Sequence, residues 1–504
     1  MDEIEQQQQQ TEPSQQEYVP RRSATLEGII NTLEWLLVAL ILALVFRAFG
    51  VEAFQIPTGS MAETLKGAHY HLRCMRCGYP YDVGGDTSLY NRPQCSSCGY
   101  YQPATALGRQ QNGDRIFVLK SIYQYVPPRR WDVVVFKNPT NPAINYIKRL
   151  IALPGETVQL IDGDVFINGQ IQRKPAKVQQ ELWMPIYDND YQPFGAAAGP
   201  AGQTAAADAL NRIWRQPFEN EPNTDSRWSL NANGPAVFSL DENNMRDHWL
   251  LYNSDVGNDF HSTYAYNSDM LRRGQPVCSD LMMRFYVRPE SSGCVGASLE
   301  KYGVHYIGRV DFAGMLILQR RQGTRIDELA RMPIRPASND RLMIFEFANV
   351  DHRLVLRYGE NRLSFDLPVR PAPKRNASAQ PQVRLLGRGR IQISHLGLFR
   401  DTYYISQATL RANERDPFKL EKDEFFVCGD NSPNSLDARL WSEEGKGITN
   451  QPAYRMGVVP MEYMLGKAFL VYWSDAYSPM PNMLPVIPNI DRIKVIFGGS
   501  DEVY

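Results

Sequence analysis

Apolar and polar positions divide the chain into stretches of three kinds. The first is a continuous apolar stretch, Ile29–Phe49, with twelve apolar residues in an unbroken run from Trp35 to Phe46. At about 1.5 Å per residue it reaches roughly 30 Å, the thickness of a hydrocarbon core. The pattern therefore predicts a helix able to cross a bilayer, with Glu34 and Arg47 near the interfaces or snorkelling toward them. A cleaved signal peptide ending near Ala53 and a buried core helix are competing readings, and the long polar segment ahead disfavours the first. The second kind is the short apolar run closed by turn formers, which predicts strands. Examples are Val133–Phe136 before Pro139, Tyr146–Leu153 before Pro154-Gly155, Asp164–Ile167 before Asn168-Gly169, and Phe425–Cys428 before Gly429. Further short strands are expected at Met282–Val287, Ala313–Leu318, Leu342–Phe347, Leu354–Tyr358, Arg362–Leu367, Gln382–Leu386 and Gly389–Ile393. Many short strands with turns suggest a mainly β protein whose middle is a β-sandwich. The third kind is polar or small without period: residues 2–20, with the run Gln6–Gln10, read as disordered, and Phe194–Ala207 reads as a loop.

Composition adds bounds. The chain has 504 residues, 43% hydrophobic and 22% charged, as in ordinary globular proteins, and its formal net charge of −1 gives no reason to expect a nucleic-acid partner. Arg21 and Arg22 precede the apolar stretch and favour a cytoplasmic N-terminus, although Arg47 and Lys66 weaken the asymmetry. Arg21-Arg22-Ser23 also hints at a twin-arginine signal, against which Glu27 and the long tail argue.

Candidate chemistry begins about ten residues past the apolar stretch, at Gly59-Ser60, where a hydroxyl would stand near a membrane surface. A nucleophilic serine needs a base and an oxyanion site. Lys148, flanked by Ile147 and Leu150 along the strand, is one candidate base, because desolvation disfavours its ammonium form. Taken alone, Lys148 and Arg149 read better as strand-edge charges that deter edge pairing. The segment Gly429–Trp441 is rich in Asx and Ser turn formers and contains a potential Asp437–Arg439 pair.

Six blocks, in this order, resemble type I signal peptidases: Ser60-Met61 followed by Thr64-Leu65, Gly113–Val118, Val133–Pro139, Tyr146–Glu156, Gly429–Trp441, and Gly466-Lys467-Ala468 with Tyr472-Trp473-Ser474. The resemblance covers about residues 26–175 and 419–497 and implies a membrane-anchored Ser–Lys dyad endopeptidase with no catalytic cofactor. It implies Ser60 as nucleophile and Lys148 as general base. The oxyanion hole would combine the Ser60 N–H with the Thr58 hydroxyl. Ser435 would orient the lysine amine, and Asp437 and Arg439 would form a supporting ion pair. Its substrates would be exported preproteins with small residues before the cleavage site, its partners the lipid bilayer and the secretion translocon. Its place would be the inner membrane, single-pass, with the catalytic domain on the periplasmic face. Two departures stand out: Glu63 where the family has Pro, and Ser432-Pro433 where it has Arg-Asp. Val51, Phe54 and Ile56 are candidates for pocket, membrane contact or ordinary core.

Cys74-x2-Cys77 and Cys95-x2-Cys98, each followed by Gly-Tyr, have the spacing of a structural zinc ribbon, with disulfides as the alternative on an oxidising side. His69 and His71 are expected as surface residues rather than ligands. Cys278 and Cys294 are open between a disulfide and two buried thiols; Cys428 reads as core. Asp255, Asn258 and Asp259 suit solvated loops better than a Ca²⁺ site. Ile391–Asp401 faintly resembles a late strand of a laminin-G or concanavalin jelly roll.

The expected organisation is a cytoplasmic tail (1–25), an anchor (26–49), a first catalytic part (50–175) containing the ribbon (68–104), an inserted β-sandwich (176–418), a second catalytic part (419–497) and a tail (498–504). A non-catalytic scaffold on a peptidase-like body is the first alternative. A Ser–Lys autoprotease of the SOS-repressor kind, its ribbon binding DNA, is the second; the apolar helix, the missing helix-turn-helix and the neutral charge argue against it.

Overall fold

A computed structural model describes residues 24–85, 92–193, 214–230, 236–243, 245–267, 274–289, 292–336, 341–369, 380–447, 453–475, 487 and 489–499. The polar tail, Arg21, Arg22 and the loop Phe194–Ala207 lie outside the described residues. Met1–Val51 and Glu52–Tyr504 form two compact units.

The first unit contains one helix, α1, Ala24–Phe49. Ile29, Leu33, Trp35, Leu36, Leu37 and Leu40 are exposed on it. Where a spanning helix was expected the chain is helical, but among the described residues no helix is long and apolar enough to cross a membrane.

The second unit is mainly β. Its functional sheet is built from β1 (Val51–Gln55), β2 (Arg115–Lys120), β3 (Val133–Lys137), β4 (Asn145–Ala152), β5 (Glu424–Cys428) and β6 (Met464–Trp473). Spatially they run β1-β2-β6-β3-β4-β5 and then Val459–Pro460, with Lys494–Val495 paired to β6. The apolar runs become strands here because both faces are covered. Val133 and Val135 enter one buried cluster with Ile56, Met61, Leu65, Ile116 and Val118, while Val134 and Phe136 enter another with Leu150, Phe426 and Trp441. This is the period-2 alternation of a strand between two cores. Ile56 is thus core, and Phe54 packs against the same cluster.

Between β4 and β5 in the chain stand two further large sheets, one of eight strands and one of seven. The eight-stranded one contains Leu281–Pro289, Met343–Val350, Arg353–Tyr358, Asn361–Asp366 and Arg390–Arg400; the seven-stranded one contains Cys294–Lys301, Val304–Asp311, Met315–Gln322, Arg325–Pro333 and Val383–Arg388. Both contribute to one apolar cluster, through Phe285, Phe345 and Leu398 on one side and Val295, Val310 and Leu385 on the other. Arg325–Pro333 escaped the sequence reading because its charges break the apolar run. It is an edge strand whose Leu329, Ala330 and Met332 face the cluster.

Short backbone ties hold the segment after β1 against the segment before β2. Ile56 N–H donates to the Asp114 carbonyl (2.8 Å) and Asp114 N–H to the Lys66 carbonyl (2.8 Å). A Cβ added at Gly113 would overlap the Ile56 carbonyl oxygen. Overpacking of this kind typically costs about 1–3 kcal/mol. Gly113→Ala should lose about that much stability in urea unfolding, whereas Gly108→Ala, with open space around it, should unfold with the parent protein; equal midpoints for all three would refute the tight approach.

Candidate active site

The chain leaves β1 through Pro57 and turns at Gly59–Met61, a single 3-10 turn. Met61 and Leu65 anchor that turn in the apolar cluster, which leaves Ser60 almost covered, 8% exposed. Thr58 precedes the turn in extended conformation, and its hydroxyl makes no capping hydrogen bond. The Gly59 Cα faces the ring of Tyr266, so a side chain at position 59 would collide with it.

Lys148 lies on β4 opposite Val134 of β3. Its Nζ is 2.7 Å from Ser60 Oγ and 3.0 Å from the Ile147 carbonyl. The residue is 4% exposed. Burial lowers the pKa of its amine to about 8; Asp437 opposes this and Arg439 adds to it. The next residue, Arg149, projects to the other side of the strand. There it makes a two-pronged pair with Asp430, Nε to Oδ1 and Nη2 to Oδ2, both 2.7 Å, and donates to the Trp131 carbonyl at 2.9 Å.

The segment after β5 closes the site. Asp437 is its hub. The carboxylate accepts from Arg439 Nε (2.8 Å) and Nη2 (2.7 Å), from Gly429 N–H (2.9 Å) and from the Ser435 hydroxyl (2.7 Å). Burial pushes the Asp437 carboxyl up, but the Arg439 guanidinium and these donors hold it below the usual carboxylate range. Ser435 therefore gives its proton to Asp437, while the hydrogen-bond contacts of the Lys148 amine are with Ser60 and Ile147. The two serines still come close: a Cβ on Gly429 would overlap both Ser435 Oγ and the Ser60 carbonyl.

The sequence reading missed several participants. Ser432, one of the two departures, accepts from Ile405 N–H at 2.8 Å and lies 2.5 Å from Arg439 Nη1. Asn431 donates its backbone N–H to the Ser60 carbonyl at 3.1 Å. Asp430 and Arg149 looked like loop and edge charges because their partnership depends on strands far apart in sequence. The other departure, Glu63, follows a cis peptide bond. It lies 3.9 Å from Lys66 and lines a cavity of about 740 Å³ with Asp82, Tyr264 and Arg400.

The cysteines of the two C-x2-C pairs converge. Cys74 and Cys98 sulfurs are 3.6 Å apart, Cys77 and Cys95 sulfurs 3.7 Å, and all four ligand atoms lie within 4.8 Å of one another. Thiolates at about 2.3 Å around a tetrahedral ion are separated by roughly 3.8 Å, so the cage fits a metal. The surface expectation fails for His69, which is 0% exposed. Its Nε2 lies 2.6 Å from Asp475 and its Nδ1 2.8 Å from the Gly67 carbonyl. A partner 406 residues away draws it inside. His71 stays partly exposed and meets Asp82 at 2.7 Å. Cys278 and Cys294 are buried free thiols, and Cys428 is core. Asn258 donates to the Ser96 and Ile186 carbonyls (2.7 and 2.9 Å), joining the second C-x2-C pair to strand Met184–Asp188, and Asp259 accepts from His261 N–H.

Two stretches of the chain, residues 108–197 and 378–473, match the family described as signal peptidase, peptidase S26. Lys148, Ser435, Asp437 and Arg439 fall inside them, while Thr58 and Ser60 precede them. The buried Ser60–Lys148 contact therefore joins a residue inside the matched stretches to one that precedes them. Among its relatives are signal peptidase I of Pseudomonas fluorescens, 36% identical over 26% of this chain and 35% of that one. Signal peptidase I of Leptolyngbya laminosa is 38% identical over 18% of this chain and 54% of that one. In these stretches the chain is similar to type I signal peptidases, and the residues between them form no part of the family match. The chain spans about a third to a half of the length of these relatives. A carbohydrate binding module, CBM66 from Bacillus subtilis, overlaps 36% of this chain and 93% of its own length at 8% identity, but its TM-score of 0.24 carries no argument.

Arg149 and Asp430 are both 0% exposed. Removing one partner of such a pair typically costs about 3–5 kcal/mol, because a charge is left buried alone. Arg149→Ala should therefore lower the unfolding midpoint steeply, and Arg149→Met combined with Asp430→Leu should regain much of the loss; calorimetry of the three proteins decides it.

Proposed function

We propose that the protein is a serine endopeptidase that removes signal peptides from exported preproteins by a Ser60–Lys148 dyad. The observation that carries the reading is the 2.7 Å approach of a buried lysine amine to a buried serine hydroxyl. An amine with a pKa of about 8 is neutral in roughly a fifth of molecules near physiological pH, against about one in a thousand for an ordinary lysine. Its lone pair takes the Ser60 proton as Oγ attacks the scissile carbonyl. The oxyanion that forms is held by the Ser60 N–H and the Thr58 hydroxyl. The Lys148 ammonium then protonates the departing amine, and the neutral amine activates the water that releases the acyl group. Asp437 and Arg439 support the dyad from beneath, and Ser435 contributes through Asp437.

Small residues before the cleavage site suit a nucleophile as closely covered as Ser60. The apolar run of α1 and its exposed Leu33, Trp35, Leu36 and Leu37 support an anchor in the inner membrane. The catalytic part would then face the periplasm, where the bilayer and the secretion translocon are its neighbours. We assign residues 50–175 and 419–497 to the catalytic body, 68–104 to a ribbon holding a structural Zn²⁺ on four cysteines, and 176–418 to a β-sandwich insertion. The zinc would fix the ribbon and take no part in the reaction.

Two measurements test this. Processing of a preprotein with an Ala-x-Ala site should rise with pH through about 8, far below the ordinary lysine value of about 10.4, and should vanish in Ser60→Ala and in Lys148→Ala. Processing that persists in both variants would leave a scaffold as the better reading. The purified protein should also carry about one equivalent of zinc by elemental analysis, lost in Cys74→Ser together with Cys95→Ser. A metal-free preparation with two disulfides would overturn the ribbon.

A further inference from the structure

The segment Tyr264–Asn267 lies between the two family-matched stretches, in the part of the chain that the insertion adds. It nevertheless reaches the nucleophile turn from two sides. Tyr264 donates its hydroxyl to the Asp430 carbonyl at 2.9 Å. Tyr266 packs its ring on Gly59 and donates to the Ala68 carbonyl at 3.2 Å. Asn267 forms a reciprocal amide pair with Asn431: its Nδ2 donates to Asn431 Oδ1 at 2.8 Å, and Asn431 Nδ2 donates back to Asn267 Oδ1 at 2.7 Å. The second hydrogen of Asn431 Nδ2 goes to the Gly59 carbonyl at 3.0 Å.

That last acceptor matters because Gly59 C=O and Ser60 N–H belong to one peptide unit. In a planar trans peptide the two point in opposite directions, so holding the carbonyl fixes where the N–H points. The reciprocal pair prevents the Asn431 amide from rotating away, since any rotation would leave buried amide groups unpaired; both side chains are buried. We propose that Asn267, a residue of the insertion, is a positioning residue for the oxyanion hole: it acts through Asn431 to aim the Ser60 N–H at the developing oxyanion. The proposal rests on Ser60 being the nucleophile. It also makes the insertion a working part of the peptidase.

The test uses the full-length protein in detergent with a peptide substrate bearing an Ala-x-Ala site. Losing one oxyanion donor typically costs about 10²–10³ in kcat, and a donor left present but misaimed should cost less, on the order of tenfold or more. Asn267→Ala and the isosteric Asn267→Asp should both show that fall in kcat, with KM and the pH midpoint of Lys148 unmoved and the melting temperature lowered by the buried amide left unpaired. Asn431→Ala should fall at least as far, and the Asn267→Ala/Asn431→Ala double variant no further than Asn431→Ala alone. If Asn267→Ala does not fold, Asn267→Asp carries the test, because a carboxylate cannot supply the Nδ2 donor. Full kcat in the Asn267 variants, or a loss that multiplies with that of Asn431→Ala, overturns the proposal. Ser60→Ala separates the two levels: turnover retained there sinks the dyad itself, whereas an inactive Ser60→Ala beside a fully active Asn267→Asp sinks this proposal alone.

Discussion

The dehydration of one amine governs the design of this protein. A lysine in water holds its proton far too tightly to act as a base near neutrality. Lys148 gives it up near 8 because it is buried, and burial on that scale exposes it to every nearby charge at reduced screening. The surroundings must therefore be close to neutral overall. They are: Asp437 is matched by Arg439 and Asp430 by Arg149, each through two short contacts, on either side of β4. An uncompensated carboxylate would raise the amine again, and an uncompensated guanidinium would cost stability. The ion pairs around Lys148 are best understood as the condition for burying a lysine with a lowered pKa there.

Much of the sheet was legible in the chain because its strands are apolar runs with turn formers at their ends. Val133–Lys137 and Asn145–Ala152 fall almost where the pattern puts them. Ser60 stood out beside Gly59 about ten residues past the apolar stretch, Lys148 by its apolar flanks, and both because the blocks around them resemble a known family. What could not be read depends on distant partners. His69 sits in a polar stretch and looks like a surface residue until Asp475 is beside it. Ser435 looked like a contact of the lysine but donates to Asp437. Asn267 carries no local mark at all; its significance exists only once Asn431 faces it.

The two sheets between β4 and β5 are tied to residues 164–179 through buried charge, and to the Gly59–Met61 turn through the Tyr264–Asn267 segment. Lys174 donates to Asp351 at 2.8 Å and to Asp401 at 2.7 Å, and Gln179 donates to Asp401 at 2.6 Å. Lys301 pairs with Asp280, which also accepts the Asp351 N–H at 2.8 Å. The carboxylates of Asp164, Asp280 and Asp351 converge there, with Lys174 and Lys301 supplying opposite charge. Such pairs add little net stability but penalise any other arrangement, since separating them strands a charge. The seam therefore fixes orientation, which a purely apolar contact would leave freer to slide.

The pairing of Arg149 with Asp430 spans 281 positions. Closing so long a loop as a flexible chain is slow and entropically unfavourable, although the cost grows only logarithmically with length. If the intervening sheets form first, they draw β4 and β5 toward each other and turn a distant encounter into a local one. Assembly then has a natural order: the Arg149–Asp430 pair, and with it the Ser60–Lys148 contact on the same strand, closes only after the sheets between β4 and β5 have folded.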